Sequence, residues 1–268
     1  MSADLTAALE ARGLHWPAPV EHLAEVASTN DLLKEKARAG APEWSAVLAD
    51  RQTAGRGRAG HRWVSPEGNL FLSVLLRPVL PAAHVPVLPL AAGLAVAEAA
   101  AEHVPDVRLK WPNDVVVGGR KLAGILVEGM SGAGGMEAAI VGIGLNVGLD
   151  PRSLPGDLRD RVTSLAAQTG RSVRVADAAA AVLARLRVWY DRLAREGPPV
   201  VIAAWRERSV AWWGRPVEAR SGGSVLRGVA HGLDERGALL LDLEDGSRVA
   251  VVSGDVSELR LAGGGPLP

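Results

Sequence analysis

The residues best suited to bind an anion lie in a short segment rich in glycine and arginine, residues 53–63, which reads Thr-Ala-Gly-Arg-Gly-Arg-Ala-Gly-His-Arg-Trp. Glycines allow positive φ angles and let backbone N–H groups approach a ligand closely. The guanidinium groups of Arg56 and Arg58 can each donate two parallel hydrogen bonds to a phosphate or carboxylate. The segment therefore predicts a loop that folds over an anion and excludes water. Taken alone, it fits an exposed basic turn or a short RNA-binding patch equally well, and its spacing is not that of a P-loop.

Two lysine-containing segments could add positive charge to such a site. Residues 110–114 read Lys-Trp-Pro-Asn-Asp, and residues 120–128 read Arg-Lys-Leu-Ala-Gly-Ile-Leu-Val-Glu. Lys121 heads a predicted strand and could point inward at a phosphate, while Gly124 indicates that something packs closely against the strand's backbone. The ordinary alternatives are a tight turn at 110–114 and a solvated hairpin lysine.

Two further motifs provide a flat surface and hydrogen-bonding groups. Gly142 and Gly144 are separated by one residue and leave one face of a predicted strand flat, which makes room for a planar ligand or for a helix that crosses the strand. Residues 28–30, Ser-Thr-Asn, present three consecutive hydrogen-bonding side chains, which is more than a helix N-cap needs.

Composition limits the classes of function. The chain of 268 residues is long enough for one large domain and a small one. Its 30 basic and 30 acidic residues balance, so no bulk attraction to nucleic acid or membranes is expected. The absence of cysteine excludes disulfides, thiolate zinc sites and a cysteine nucleophile. Only four of the basic residues are lysines, and the placement of Lys110 and Lys121 within the motifs above is better explained by function than by chance.

No segment is expected to span a membrane or to act as a secretory signal. The most apolar stretch, residues 85–101, is interrupted by Pro86 and Pro89 and carries Glu98. The first ten residues lack a basic region ahead of an apolar core. The expectation is a soluble, cytoplasmic protein.

Periodicity and turn residues predict the elements that position these motifs. Apolar runs predict seven strands, at 20–26, 46–50, 69–77, 107–110, 115–117, 121–128 and 137–147. Hairpin loops are predicted at 118–119 and 131–135, and a longer loop at 150–161. Helices are predicted at 31–39, 89–103 and 176–195, with one more ending near residue 208. Strands in close succession, flanked by helices, favour an α+β fold with a mixed, largely antiparallel sheet.

The pattern changes after Gly214 to short strands separated by glycines. Five strands are predicted there, at 217–220, 225–233, 238–243, 248–252 and 259–261. Five strands in so short a segment indicate a small SH3-like β-barrel. A boundary near Trp212 is predicted to divide the chain into a catalytic domain, 1–212, and a C-terminal domain, 213–268.

The order and spacing of the motifs resemble the catalytic domain of biotin protein ligases. The motifs are S-T-N, Q-T-A-G-R-G-R-x-G-x-x-W, K-W-P-N-D, R-K-L-A-G-I-L-x-E and G-I-G-x-N-V, between residues 28 and 147. Residues 251–256, Val-Val-Ser-Gly-Asp-Val, are similar to the family's C-terminal SH3-like module, so the resemblance covers roughly residues 20–262. It implies the biotin ligase fold, related to that of class II synthetases. It also implies an ATP-dependent ligase that forms biotinyl-5'-AMP and transfers biotin to a lysine of a biotin carboxyl carrier protein of an acetyl- or acyl-CoA carboxylase.

The resemblance also assigns roles to residues. The set expected to bind biotin is Ser28, Thr29, Asn30, Gln52, Gly55, Arg56, Gly57, Arg58, Trp63, Lys121, Gly124, Gly142 and Gly144. The set expected to bind the nucleotide is Arg58, Lys110, Asn113, Lys121 and Asn146. The catalytic set is Arg56, Arg58, Lys121 and Asp114, with Mg²⁺ but no assigned metal ligand. Asn113 and Asp114 could orient the nucleotide, help position magnesium or help the incoming lysine lose a proton, and the sequence does not choose among these roles.

Charge determines what the first step would require. A carboxylic acid is ionised at pH 7, so no general base is needed. The site must bring the carboxylate and the α-phosphate together and stabilise the charge that develops on the phosphate oxygens. The product would be a mixed anhydride that water destroys, so the loop 53–63 is expected to stay closed until the carrier lysine attacks.

Partners follow from the same resemblance. Many family members carry an N-terminal winged helix-turn-helix, but here the S-T-N motif begins at residue 28, so a monofunctional ligase that does not bind DNA is expected. The alternatives are a lipoate ligase or octanoyltransferase of the same fold, and a non-catalytic nucleic-acid-binding protein. A homodimer is left open.

Overall fold

The computed structural model describes residues 2–132, 135–221 and 223–258. Within these ranges the chain forms seven α-helices: α1 (Ala3–Glu10), α2 (Thr29–Arg38), α3 (Leu88–Ala101), α4 (Gly156–Arg159), α5 (Leu165–Thr169), α6 (Val175–Glu196) and α7 (Pro198–Arg208). The strands of the first sheet are β1 (Val20–Val26), β2 (Ala46–Gln52), β3 (Leu70–Leu76), β4 (Arg108–Lys110), β5 (Asp114–Val117), β6 (Arg120–Gly132) and β7 (Gly135–Leu145). The strands of the second sheet are β8 (Pro216–Ser221), β9 (Ser224–Leu233), β10 (Leu239–Asp242), β11 (Arg248–Val251) and β12 (Asp255–Glu258).

The first sheet has the strand order β1-β2-β3-β7-β6-β5-β4. Its pairs are antiparallel except β1 with β2, which run parallel because α2 carries the chain back between them. The prediction of a mixed, largely antiparallel sheet with flanking helices is confirmed. Strand β1 lies at an edge of the sheet.

Helix α3 lies in the centre of the core. Its apolar residues are buried nearly all round, because it packs on the first sheet and against α6 and α7. Among the described residues, the segment Ala82–Ala101 is long and apolar enough to cross a membrane by length and composition, contrary to the expectation above. However, 61% of its apolar window is buried inside the protein, as in a core helix of a globular protein.

The second sheet is antiparallel, with the order β11-β10-β9-β8-β12. The predicted strand at 259–261 lies outside the described residues. The fifth strand is instead Asp255–Glu258, where buried Val256 pairs with Ala219 of β8. One hydrophobic core continues from the first sheet to the second through Trp205 and Trp212. The division of the chain after residue 212 stays a prediction.

Three further features differ from the sequence-based expectations. Helix α1 had no predicted counterpart; Ser2 caps it and Leu5 and Leu9 are buried. The predicted loop 150–161 contains the short helix α4. Strands β6 and β7 extend to residues 132 and 135, well into the predicted hairpin loop, whose residues 133 and 134 lie outside the described ranges.

Candidate active site

A polar cluster forms where the parallel strands β1 and β2 end. Because carboxyl ends of parallel neighbours meet at one edge, residues 28–30 after β1 lie next to Gln52 at the end of β2. The Gln52 amide oxygen accepts hydrogen bonds from the backbone N of Thr29 at 2.9 Å and from its hydroxyl at 3.1 Å. Ser28 caps α2 by accepting from the Asp31 backbone N–H. The side chains of Ser28, Thr29 and Asn30 are therefore buried and held next to Gln52.

Ser73 is a member of this cluster that was not assigned from the sequence. Its side chain is fully buried, and its Oγ lies 2.6 Å from Asn30 Oδ1 and 2.8 Å from Thr29 Oγ1. The signal was present, because Ser73 is the one hydroxyl in the otherwise apolar strand 70–76. A buried hydroxyl needs a polar partner, and here the partners are the motif residues themselves.

The glycines of β6 and β7 form a floor that faces two different side chains. A Cβ atom at Gly142 would collide with the Asn30 side chain. A Cβ at Gly144 would lie 2.5 Å from Trp63 Cε2, and one at Gly124 would lie 2.9 Å from Trp63 Cζ3. The Trp63 indole therefore rests on the floor at Gly124 and Gly144. Its Nε1 is buried with no hydrogen-bond partner among the described residues.

The segment 110–114 contacts both Arg58 and Lys121, the two side chains expected to bind the phosphate. Arg58 Nη1 donates to Asn113 Oδ1 at 3.4 Å, and Lys121 Nζ lies 2.7 Å from Asp114 Oδ1. Lys121 Nζ also lies 5.2 Å from the centre of the Trp63 ring. Positive groups from two separate segments thus converge on one site.

Burial shapes the electrostatics of Arg58. Desolvation lowers the pKa of its guanidinium, although the Asp255 and Asp114 carboxylates act to raise it. The group stays charged, as arginines in proteins do. A partly buried cation whose neighbouring carboxylates do not offset its desolvation favours an added anion.

Arg56 has different neighbours from Arg58. Its guanidinium contacts Asp31 Oδ1 at 2.6 Å and Glu128 Oε2 at 2.9 Å. Glu128 also accepts from Lys34 and Asn30. Burial alone would raise the pKa of Glu128, but the hydrogen bonds from Lys34, Asn30 and Arg56 outweigh it and hold that pKa below its ordinary value. Arg56 therefore fastens the beginning of the loop 53–63 to α2 and β6.

The loop itself is closed by backbone hydrogen bonds. Gly57 N donates to His61 O at 2.7 Å, and Trp63 N donates to Gly55 O at 2.9 Å. Gly55 is buried, and a Cβ there would lie 2.6 Å from Ser65 Oγ. Glycine is required at position 55 because no side chain fits there.

Asn146 and Lys110 complete the expected set. Asn146 is buried, and its amide donates to the carbonyl oxygens of Thr163, at 2.9 Å, and Lys121, at 3.4 Å. Its side chain thus ties the end of β7 to the start of β6. Lys110 is the last residue of β4 and pairs with Asp114 of β5.

These groups surround a cavity of about 690 Å³, which we call the ligand cavity. Every residue assigned to biotin, the nucleotide or catalysis lines it except Gly55, which is a buried residue of the loop 53–63. The volume falls in the range typical of small-molecule sites. The second sheet contributes Arg220 and Asp255 to the lining, and Arg161 also lines the cavity; none of the three was predicted from the sequence. Asp255 stands within the recognised motif at 251–256, which was the available signal.

The described part of the chain contains no group of three or more His, Cys, Asp or Glu side chains that could hold a metal ion. Asp114 and Asp255 are the carboxylates that line the ligand cavity near Arg58. Magnesium usually binds through one or two carboxylates together with substrate phosphates and water, so this donor set fits it.

The mixed sheet and the cavity define a protein of the biotin and lipoate ligase class. Residues 23–146 match the model of the biotin/lipoate A/B protein ligase family, and residues 213–257 match that of the biotin protein ligase C-terminal domain. A biotin--[acetyl-CoA-carboxylase] ligase of Paracoccus denitrificans is 36% identical over 229 residues, covering 82% of this chain and 92% of the relative. The chain belongs to the biotin protein ligase family and is a ligase.

Other relatives and a solved structure agree with this assignment. The bifunctional ligase/repressor BirA of Bacillus subtilis is 34% identical over 233 residues, covering 86% of this chain and 71% of the relative. A structure of the biotin protein ligase from Aquifex aeolicus in complex with biotin and ATP superposes with a TM-score of 0.77 at 33% identity, covering 91% of this chain and 99% of that one. The fold class predicted from the sequence is confirmed.

Proposed function

We propose that this ligase activates biotin with ATP and then attaches it to a lysine of a biotin carboxyl carrier protein. In the first step a biotin carboxylate oxygen attacks the α-phosphorus of ATP and pyrophosphate leaves. In the second, the carrier lysine amine attacks the biotinyl carbonyl and AMP leaves. The observation that carries the proposal is the convergence of Arg58 and Lys121 on one cavity that also contains the cluster at 28–30.

The biotin end of the cavity is proposed to be the cluster of Ser28, Thr29, Asn30 and Gln52. The ureido ring of biotin offers two N–H donors and one carbonyl acceptor, and each must find a partner when it is buried. The hydroxyl and amide groups of the cluster supply both kinds of partner. Ser73 is proposed to fix the Thr29 and Asn30 side chains in place.

The nucleotide end is proposed to be the side with Arg58, Lys121 and Lys110. No proton needs to be removed from the biotin acid, so these residues act by charge. They offset the repulsion between carboxylate and α-phosphate and stabilise charge on the phosphate oxygens. Mg²⁺, held by the ATP phosphates with Asp114 or Asp255, would neutralise further phosphate charge.

Asn113 and Asp114 are proposed to position the two cations. Asn113 Oδ1 accepts from Arg58, and its amide Nδ2 donates to Ile125 O at 2.7 Å, so it joins the loop to β6. Asp114 holds the Lys121 ammonium at 2.7 Å. These contacts favour a positioning role for both residues over deprotonation of the carrier lysine.

Arg56 is proposed to act on closure of the loop 53–63. Its contacts with Asp31 and Glu128 hold the loop over the cavity. A closed loop excludes water from the mixed anhydride until the carrier lysine enters. The residue set, the carrier protein as partner and a cytoplasmic location are all parts of the proposal.

The proposal is tested by incubating the chain with biotin, Mg-ATP and a biotin carboxyl carrier domain. We expect the carrier to gain the mass of one biotinyl group, measured by intact-mass spectrometry, and a carrier whose acceptor lysine is replaced by arginine to gain nothing. Lipoate in place of biotin tests the alternative ligase activity. Lipoylation without biotinylation, or no product from either acid, would contradict the proposal.

A further inference from the structure

The segment 110–114 touches the second sheet through Trp111. This side chain is 2% exposed, and its Nε1 donates to the carbonyl oxygen of Gly237 at 3.0 Å. Gly237 lies in the turn between β9 and β10, residues 234–238, which we call the docking turn. Neither Trp111 nor Gly237 lines the ligand cavity.

The docking turn is built to present that carbonyl in one position. Asp234 Oδ1 accepts from the backbone N of Arg236 at 2.9 Å and of Ala238 at 2.8 Å. Gly237 has a φ of +77°, and a Cβ there would lie 2.8 Å from Leu90 Cδ1 of α3. The turn therefore fits against the core only with glycine at this position.

Two and three positions after Trp111, residues of the same segment contact Arg58 and Lys121. Asn113 accepts from Arg58, and Asp114 contacts Lys121. One short segment is thus fixed by the second sheet at its buried side and contacts the cations at its cavity side. A displacement of this segment would move both cations together.

We propose that Trp111 is a positioning residue through which the docking turn holds residues 110–114 in the geometry needed for adenylate formation. The inference rests on the proposed function and adds to it a physical route by which the second sheet supports the first step. The biotin cluster at 28–30 lies at the start of α2, directly after β1, and its described hydrogen bonds do not involve this segment. The two halves of the site therefore respond differently when the contact is lost.

The first test is Trp111→Phe, which keeps an aromatic ring and removes the N–H donor. Trp16→Phe is the matched control, because Trp16 is 5% exposed and its Nε1 donates to Trp44 O at 2.9 Å, away from the cavity. We expect Trp111→Phe to slow single-turnover adenylate formation about tenfold or more, since small misplacements of catalytic groups are costly. The Kd for biotin, measured by calorimetry, should stay within about twofold of that of the unmodified chain. Trp16→Phe should lower the Tm by a similar amount, because it also removes one buried hydrogen bond, but should change neither the adenylation rate nor the Kd for biotin.

The second test approaches the contact from the other side. The new Cβ of Gly237→Ala would collide with the Leu90 side chain. Gly246, in the turn between β10 and β11, is the matched control, because it has a similar φ of +82° and its Cβ position has no other atom within 4 Å. We expect slow adenylation with normal biotin affinity for Gly237→Ala alone, and no further slowing when it is combined with Trp111→Phe. Equal adenylation rates for Trp111→Phe and Trp16→Phe, or for the two glycine variants, would overturn the inference. Absence of adenylate from the unmodified chain would instead contradict the proposed function.

Discussion

At the scale of single residues, Arg58 and Lys121 show how a site can bind two anions, a carboxylate and a phosphate, next to each other. Each cation has one polar neighbour from residues 113–114, and neither is enclosed by carboxylates on all sides. Both retain donors that can turn to a ligand, because an arginine has five N–H groups and a lysine three. Substrate oxygens can therefore bind without removing the protein contacts that orient these side chains.

Replacing Lys121 by alanine should slow single-turnover formation of biotinyl-adenylate by about a hundredfold or more, since one preorganised contact to developing charge is worth about 3 kcal/mol. Arg58→Ala should give a similar loss. The matched control is Lys36→Ala, which removes an exposed ion pair with Glu21. A Lys121→Ala variant as fast as Lys36→Ala would show that Lys121 is not part of the machinery.

Gly144→Ala should weaken biotin binding about tenfold or more by displacing the Trp63 ring, which lies 2.5 Å from the position of the new Cβ. Gly156→Ala is the control, because nothing lies within 4 Å of its Cβ position and its φ is not positive. Calorimetric titration with biotin provides the measurement. Unchanged affinity in Gly144→Ala would mean that Trp63 does not form part of the ligand surface.

All residues assigned from the sequence except Gly55 line the ligand cavity, because the motifs are local and their spacing is specific. It did not identify their partners. Glu128 ends one of the recognised motifs, yet its bonds to Arg56 and Lys34 join residues that are 72 and 94 positions apart in the sequence. Such pairs depend on the tertiary fold, which periodicity does not encode.

At the scale of elements, the loop 53–63 is held at its start by side chains and along its length by backbone hydrogen bonds. The anchors come from α2 through Asp31 and from β6 through Glu128. The loop is therefore attached to two elements that also carry biotin-cluster and cation residues. Closure of the loop and organisation of the cavity are coupled by this arrangement.

Glu128→Gln should release biotinyl-adenylate into solution several-fold faster, because the amide keeps the shape of the side chain but loses the charge that binds Arg56 and Lys34. Free adenylate can be measured by chromatography in the absence of carrier. The control is Glu21→Gln, whose exposed partner is Lys36. Equal rates of adenylate release from both variants would show that the contact between Arg56 and Glu128 does not keep the loop closed.

The same carboxylate predicts a pH dependence. The folded-state pKa of Glu128 lies below its ordinary value of 4.5, so its contribution to loop anchoring is complete above about pH 4.5 and is lost as the pH falls through the lower folded value. Adenylate release through this route should stay constant from pH 8 to pH 6 and rise only in acid below pH 4.5. Glu128→Gln should lack the acidic rise. If adenylate release from the unmodified chain rose near neutral pH, a titrating group other than Glu128 would control it.

The element boundaries were largely predictable, since alternating and helical patterns agree with local turn residues over most of the chain. The parallel pairing of β1 with β2 was not, because a short edge strand followed by a helix fits several sheet positions. Helix α1 was also missed. Its two buried leucines are too few to define a helical period, and packing against α6 completes it.

At the scale of the whole molecule, the two sheets share one core. Trp212 is 1% exposed and lies 5.9 Å from the ring centre of Trp213, at the point where the chain passes from α7 to β8. The sequence predicts a change of architecture near this residue, because glycine-separated strands follow it, and the division of the chain there stays a prediction. Composition cannot reveal that the core continues through the junction.

Trp212→Ala should therefore destabilise the entire chain by about 3–5 kcal/mol, the usual cost of removing a large buried aromatic side chain. Val252→Ala, at a position 79% exposed, should change stability by no more than about 0.5 kcal/mol. Urea unfolding followed by tryptophan fluorescence and by far-ultraviolet circular dichroism measures both. Two separate transitions in the unmodified chain would contradict a shared core.

The small number of lysines affects how easily the enzyme could acylate its own side chains. The proposed biotinyl-adenylate intermediate is an acylating agent that reacts with amines, and the chain contains only four lysines. Lys34, Lys36 and Lys121 each have a carboxylate within 2.7 Å. Because arginine supplies most of the positive charge and is not a nucleophile at neutral pH, few amines on the enzyme would compete with the proposed carrier for the biotinyl group.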